Sequence, residues 1–448
     1  MEIKRISIKK INIQNFKNIE NGNIVTFDFT NIKKNHNFKE NHVLAIYGQN
    51  GTGKTALIET LELLKIILTG ESIPKNMFEN INILHNIAYF TYTFFIETNQ
   101  EILLLTFTFS LDKKKQIIFN EELKVKLYQE QWLKTKKILT VNKNNEKILL
   151  PQKLNNQIKN YSKDSYLNLT IQKRKTEKES LSFLFYQESY NILNKIFQNS
   201  LISHAITYLK YFGQHNLIIL TNIHQEFNHL NLIYYNQKEG NKITLKLLDS
   251  NLLSKNDFKL IEIIINQINL VLSTLIPNLQ LKIFIHNQEN NDNQTKIYFD
   301  ILSVKENYQI PLNQESAGIK KIISILNTII LMFNNPLITL AIDELDAGIF
   351  EYLLGELLSI IEESAKGQLI FTSHNLRALE RLKKESIIFT TSNPQQRFTY
   401  LNKTRSNHNL REQYLRAIIL KGQKENLYQE TNNYQIKHAL KIAGINYE

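Results

Sequence analysis

The sequence predicts an α/β fold with a parallel or mixed sheet, and three stretches predict it. Val43 to Tyr47 is a five-residue apolar run, the length of a buried strand. It leads through a glycine-rich loop into Ala56, Leu57, Leu61, Leu63 and Leu64, which recur at helical spacing with Glu59 and Glu62 facing away. Pro336 to Ile342 is a second, nearly continuous apolar run, typical of a strand covered on both faces, and it stops at Asp343-Glu344. Gln368 to Phe371 is a third, stopping at Thr372-Ser373-His374-Asn375. Open α/β sheets place their ligands at such polar carboxyl ends of strands.

The loop between the first strand and its helix, Gly48-Gln49-Asn50-Gly51-Thr52-Gly53-Lys54-Thr55, fits G-x-x-x-x-G-K-[ST] at every specified position. Glycine lets the backbone bend around a phosphate, so the N–H groups of the stretch Gly48, Asn50, Gly51 and Gly53 point inward at the positive end of a helix. Lys54 places a point charge on the β- and γ-phosphates, and the Thr55 hydroxyl can ligate Mg²⁺. An ordinary glycine turn is the bland alternative. The chain has only 13 glycines in 448 residues, and three of them fall within six positions here. The loop binds a nucleoside triphosphate.

Length and composition bound the rest. A chain of 448 residues has room for two domains, or for one with a large insertion. Without cysteine there is no disulfide framework, thiolate nucleophile or cysteine-based zinc site. No continuous run of about 18 apolar residues and no N-terminal apolar segment stands out, so the expectation is a cytoplasmic protein away from membranes. The net charge of +12 favours a polyanion partner, DNA or RNA. Against that, Lys, Asn and Ile all have AT-rich codons, and base composition alone raises the lysine count.

In chain order, Ile3 to Ile13 alternates like a strand, and a second strand is expected near Ile24 to Phe29, followed by a polar loop from Lys33 to Asn41. Ile87 to Phe109, rich in aromatic and β-branched residues and broken at Glu97-Thr98-Asn99-Gln100, reads as a hairpin. From Asp112 to Tyr190 the character changes, with 17 basic residues against 9 acidic ones and the single Trp132 near Tyr128. Such a stretch can hold a nucleic-acid backbone, although a solvated face is the commoner outcome. Leu181 to Asn222 and Phe258 to Ile276 read as helical, and Asn287 to Asn293 as irregular. The expected division is a head in two halves, 1–111 and 301–402, a basic and mostly helical insertion over 112–300, and a tail over 403–448.

The second half of the site lies around Asp343-Glu344. Asp343 would hold Mg²⁺, directly or through water, and Glu344 would polarise an attacking water. Coupled to Lys54, this acidic strand end completes a nucleotide site. His374, at the end of the next strand, is placed for a phosphate contact.

The ordered set, GQNGTGKT, then ESAGIKK shortly before LAIDELDAG, then IFTSHN, resembles the ABC-type ATPase heads of the SMC, RecF and related AAA proteins. The resemblance covers residues 1 to about 110 and 300 to 400. It implies ATP and Mg²⁺ as cofactors, Gly48 to Thr55 as Walker A, and Asp343-Glu344 as the end of Walker B. It makes Asp346 a D-loop residue and His374 the histidine that senses the γ-phosphate. Ser316-Ala317-Gly318 resembles the signature that reaches a partner's ATP in a head-to-tail dimer, and Lys17 in Asn15-Phe16-Lys17 resembles a basic residue that approaches the phosphates. Two departures stand out: no Q-loop glutamine is identifiable, and Ala317 replaces the transporter glycine. Sustained heptads are absent, which argues against a long coiled coil.

The tail, with Asn409 to Arg416 and Gly422 to Tyr428, resembles the ends of ATP-binding proteins of bacterial abortive infection and phage defence. That resemblance implies a switch ATPase that forms a homodimer or higher homo-oligomer around ATP and acts with a separate effector, a nuclease or toxin. The alternative is a DNA-repair ATPase of RecF or SMC type whose basic insertion holds nucleic acid. A fused nuclease using Arg405, Glu412 and His438 is a third reading, with little room in so short a tail.

Overall fold

The computed structural model describes residues 2–26, 42–143, 145, 147–221, 229–236, 239–246, 250–291, 294–306, 308–401, 410–420, 424–429 and 432–445. The chain opens with an antiparallel pair, β1 (Ile3–Phe16) and β2 (Ile19–Val25). The buried strand β3 (Val43–Tyr47) runs into α1 (Lys54–Thr69), as its apolar pattern predicts. After a short α2 (Lys75–Glu79) come β4 (Ile87–Thr98) and β5 (Ile102–Asp112), the hairpin read from the sequence. Next are β6 (Ile117–Gln129), β7 (Gln131–Trp132) and β8 (Lys136–Asn142). These strands form one antiparallel sheet in the order β2-β1-β4-β5-β6, with β7 and β8 both on β6. Its inner face presents Phe90, Tyr92, Phe94, Phe107 and Phe109 to the core. On the opposite face the threonine pairs Thr91–Thr108 and Thr93–Thr106 share hydroxyl contacts of 3.1 Å, the two-residue period of a half-buried sheet.

Four helices follow: α3 (Gln152–Tyr161), α4 (Lys163–Lys178), α5 (Gln187–Ile196) and α6 (Leu201–Tyr211). A π-helical turn over Phe212–Asn216 then delivers β9 (Leu217–Leu220). The hairpin β10 (His229–Asn236) and β11 (Glu239–Lys246) precedes β12 (Asn251–Ser254), α7 (Lys255–Leu275), β13 (Leu279–Asn291), β14 (Gln294–Lys305) and β15 (Tyr308–Pro311). Then come α8 (Ala317–Asn334), β16 (Thr339–Ile342), α9 (Glu351–Ser364), β17 (Gln368–Thr372), α10 (Ala378–Arg381), β18 (Ile387–Thr390) and β19 (Phe398–Thr399). The tail contributes α11 (Leu410–Leu420) and α12 (Asn433–Ile445).

The sheet that carries the site has the order β19-β18-β3-β17-β16-β9, parallel except for β19. Its strands are mostly apolar because their residues alternate between two cores. Leu44, Ile46, Ala341 and Ile370 face α1 and the antiparallel sheet, whereas Val43, Ala45, Leu340 and Phe371 face the core that contains α7, α8 and α9. Gln368 ties the sheets together: its side chain accepts from Ile8 N at 2.9 Å and donates to Ile8 O at 2.8 Å. Helices α7 and α8 are each long and apolar enough to cross a membrane. Both bury an apolar stripe in the second core, Phe258 to Leu272 on α7 and Ile322 to Met332 on α8, the stripes of core helices.

Four local readings change. Residues 112–300, expected to be mostly helical, carry α3 to α7 and also supply strands to both sheets: β6 and β8 extend the antiparallel one, and β9 forms an edge of the parallel one. On β6, buried Leu123 and Val125 alternate with Lys124 and Lys126, a strand pattern that a count of charge conceals. Residues 217–220, read within a helical stretch, are β9, and Asn287 to Asn291 continue β13 opposite β14. The second strand lies earlier than expected, at Ile19–Val25; residues 27–29, the loop from Lys33 to Asn41 and Arg405 lie outside the described residues.

Candidate nucleotide site

The site forms where β3, β16 and β17 end side by side. At Gly48, a Cβ would sit 1.7 Å from Thr390 Oγ1, so only glycine passes under the end of β18. Thr52 Oγ1 lies 2.5 Å from Thr390 Oγ1 and donates to Gln49 O at 2.5 Å, fastening the loop to that strand. Helix α1 begins at Gly53 (φ +96°) with no side-chain cap and no acidic residue in its first turn. Its first N–H groups are thereby left for an anion.

Lys54 is buried, and its ammonium donates to the carbonyls of Gly48 at 2.9 Å and Gln49 at 3.1 Å. Burial lowers its pKa, opposed by the carboxylates of Asp343, Glu344 and Asp346. Exchanging these two carbonyls for phosphate oxygens would give the ammonium charge-assisted hydrogen bonds, the stronger kind.

Asp343 is buried at the end of β16 and accepts from Thr372 Oγ1 at 2.6 Å, while Thr55 Oγ1 stands 3.4 Å from the same carboxylate oxygen. The Glu344 N–H donates to Thr372 Oγ1 at 2.7 Å. Asp346 accepts from the His374 N–H at 3.1 Å, and its other oxygen is buried with no hydrogen-bond partner among the described residues. Burial, then the Lys54 ammonium, lower the His374 pKa against the pull of Asp346, Glu344 and Asp343, which favours the neutral ring, able to hydrogen-bond a phosphate as either donor or acceptor. The described residues hold no cluster of three or more His, Cys, Asp or Glu fit for a metal. Mg²⁺ would rest on Thr55 and Asp343 with phosphate and water oxygens completing its shell, as is usual for this ion. The residues fit a magnesium–nucleotide better than a bare cation.

Ser316 and Gly318 stand at one remove. Ser316 is exposed and caps α8, its hydroxyl accepting from Ile319 N at 3.3 Å. A Cβ on Gly318 would lie 2.3 Å from Gly348 O, so the start of α8 is seated directly on the loop after Asp346. Lys17 is engaged with Glu59 of α1, 2.5 Å from Nζ to Oε2. Its neighbour Asn18 reaches the loop instead, donating to Gly51 O.

Several residues at the site carried no legible role in the sequence. The buried Arg397 donates to Asn18 O and, at 2.6 Å, to Thr391 O, bracing the turn that touches Gly51. Gln49 pairs with the tail: its Oε1 accepts from Gln429 N at 2.9 Å and its Nε2 donates to Gln429 O at 3.2 Å. Lys321, inside the stretch ESAGIKK, donates to Glu344 O at 2.6 Å. The basic pair that follows Gly318 was its only trace.

A family model described as "AAA domain, putative AbiEii toxin, Type IV TA system" matches residues 43–380. No curated protein matches the chain. Similar solved structures include the Smc head domain of Pyrococcus furiosus with an extended coiled coil, bound to the C-terminal domain of ScpA. It is 12% identical, with a TM-score of 0.42, and the match covers 93% of this chain and 99% of that one. The SMC head domain from Thermotoga maritima is 15% identical with a TM-score of 0.38, covering 88% and 99%. The recombination mediator RecF with ATP is 14% identical with a TM-score of 0.35, covering 83% and 93%. Because the family model spans most of the chain, including every site residue from Lys54 to His374, the chain belongs to this AAA-domain family.

Proposed function

We propose that the chain binds ATP with Mg²⁺ between two copies, hydrolyses it, and works as the switch ATPase of a cytoplasmic abortive-infection system with a separate effector, a nuclease or toxin. The observation that carries the shared site is the N-terminus of α8, capped by the exposed Ser316 and seated on the loop after Asp346. A single head supplies Lys54, Thr55, Asp343, Glu344 and His374 and leaves one side of the γ-phosphate to water. The N–H groups of a second copy's α8 would close that side and stabilise charge on the transferred phosphoryl group. In this reading Lys17 leaves Glu59 for the nucleotide, and Asp346 joins the interface. Dimer affinity then rises with ATP by mass action.

The test mixes Lys54→Ala protein with Ser316→Arg protein, each inactive alone. A mixed dimer keeps one intact composite site and is expected to recover part of the ATPase activity. No recovery despite demonstrated subunit exchange would sink the shared site.

A second reading, nucleic-acid binding by a RecF-like or SMC-like ATPase, is favoured by one feature of α4, where Lys163, Arg174 and Lys178 are exposed along the helix. Lys173 does not belong to that face: it is buried and donates to Asn145 O at 2.5 Å and Lys147 O at 2.7 Å, so reversing it would damage the fold. If the face holds a phosphate backbone, reversing Lys163, Arg174 and Lys178 to Glu should flatten the dependence of log K on log salt by about 0.9 for each duplex phosphate that is no longer neutralised. An unchanged slope returns the face to solvent.

A further inference from the structure

Lys321 lies one turn into α8, buried, with its ammonium 2.6 Å from the carbonyl oxygen of Glu344. Glu344 has φ +48°, a left-handed conformation that side chains other than glycine seldom adopt. Such a backbone persists only where its surroundings hold it. Here both sides of the residue are held. Thr372 Oγ1 accepts from the Glu344 N–H at 2.7 Å and donates to Asp343 Oδ1 at 2.6 Å, while the Lys321 ammonium donates to the carbonyl. Burial lowers the Lys321 pKa, and the nearby Asp346, Glu344 and Asp343 raise it again, so the cation suits an acidic surround. Helix α8 touches the same loop a second time through Gly318, packed against Gly348 O.

We propose that Lys321 is a positioning residue. From α8 it fixes the backbone of Glu344, so that the carboxylate aims at the attacking water only while α8 stays in register. It thereby ties the partner-facing end of α8 to the hydrolytic carboxylate of its own chain. This rests on the reading of Glu344 as the group that polarises water.

The experiment uses the full chain with Lys321→Met, Lys321→Arg and, as a reference, Glu344→Gln. ATP affinity, kcat and KM are measured, together with amide hydrogen exchange of residues 343–348 without nucleotide. Lys321→Met is expected to keep ATP affinity and KM within threefold, because it leaves Lys54 and Thr55 untouched. Its kcat should fall about a hundredfold, the scale of a carboxylate displaced by about 1 Å. Exchange over 343–348 should quicken at least tenfold while β3 and β17 stay protected, and Lys321→Arg should recover much of both. A Lys321→Met protein with kcat within threefold of wild type, or with unchanged exchange at 343–348, would overturn the proposal. If that variant loosens β3 and β17 as well, Lys321→Gln, shorter by one atom, is judged by the same two outcomes. If Glu344→Gln keeps the wild-type rate, the reading of Glu344 falls on its own, and the exchange data still decide whether Lys321 holds that backbone.

Discussion

Lys54→Ala is expected to weaken ATP binding by about two to three powers of ten, the loss typical of removing one partner from a buried, hydrogen-bonded charge pair. The ammonium already sits in the loop, donating to Gly48 O and Gln49 O, so little rearrangement separates it from a bound phosphate. Fold stability should change far less, since a buried cation held by two neutral carbonyls offsets much of its own desolvation cost and no more. Isothermal titration with ATP and Mg²⁺ measures the first quantity, and thermal unfolding without nucleotide the second. An affinity within threefold of wild type would mean that Lys54 does not hold the phosphates.

Glu344→Gln should have the opposite signature: ATP binds as before, and turnover falls by about 10² to 10⁴, the range for a general base in a positioned site. The amide keeps the volume and the backbone contacts to Thr372 and Lys321 while losing the ability to take a proton. ATP should remain trapped, and the dimer population should grow with it. Single-turnover hydrolysis and mass measurement with and without ATP check both. A variant that turns over within a factor of two of wild type places the base elsewhere.

Much of the parallel sheet was legible because its signals are local. Val43 to Tyr47, the loop through Thr55 and the apolar side of α1 lie within 27 consecutive residues, and each obeys a short-range rule of length, period or glycine geometry. The same holds for β16 before Asp343 and β17 before His374. The antiparallel hairpin was readable from its aromatic alternation. β9 was not: four apolar residues after a helix fit a helical continuation equally well, and only pairing with β16 across the fold makes them a strand. β6 was hidden in the same way, because its lysines face out from a strand whose other side is core.

The sequence alone determined that a glycine-rich loop, an acidic strand end and a histidine belong to one α/β sheet, since those residue types have few other uses in that order. Tertiary structure decided how they are held. Lys173 became a brace for the backbone of residues 145 and 147, Lys17 a partner of Glu59, and Lys321 the donor to Glu344. One residue type, lysine, takes three roles there because burial and the nearest acceptor set what an ammonium does. Those neighbours come from other elements: the loop before α3 for Lys173, α1 for Lys17 and the loop after β16 for Lys321.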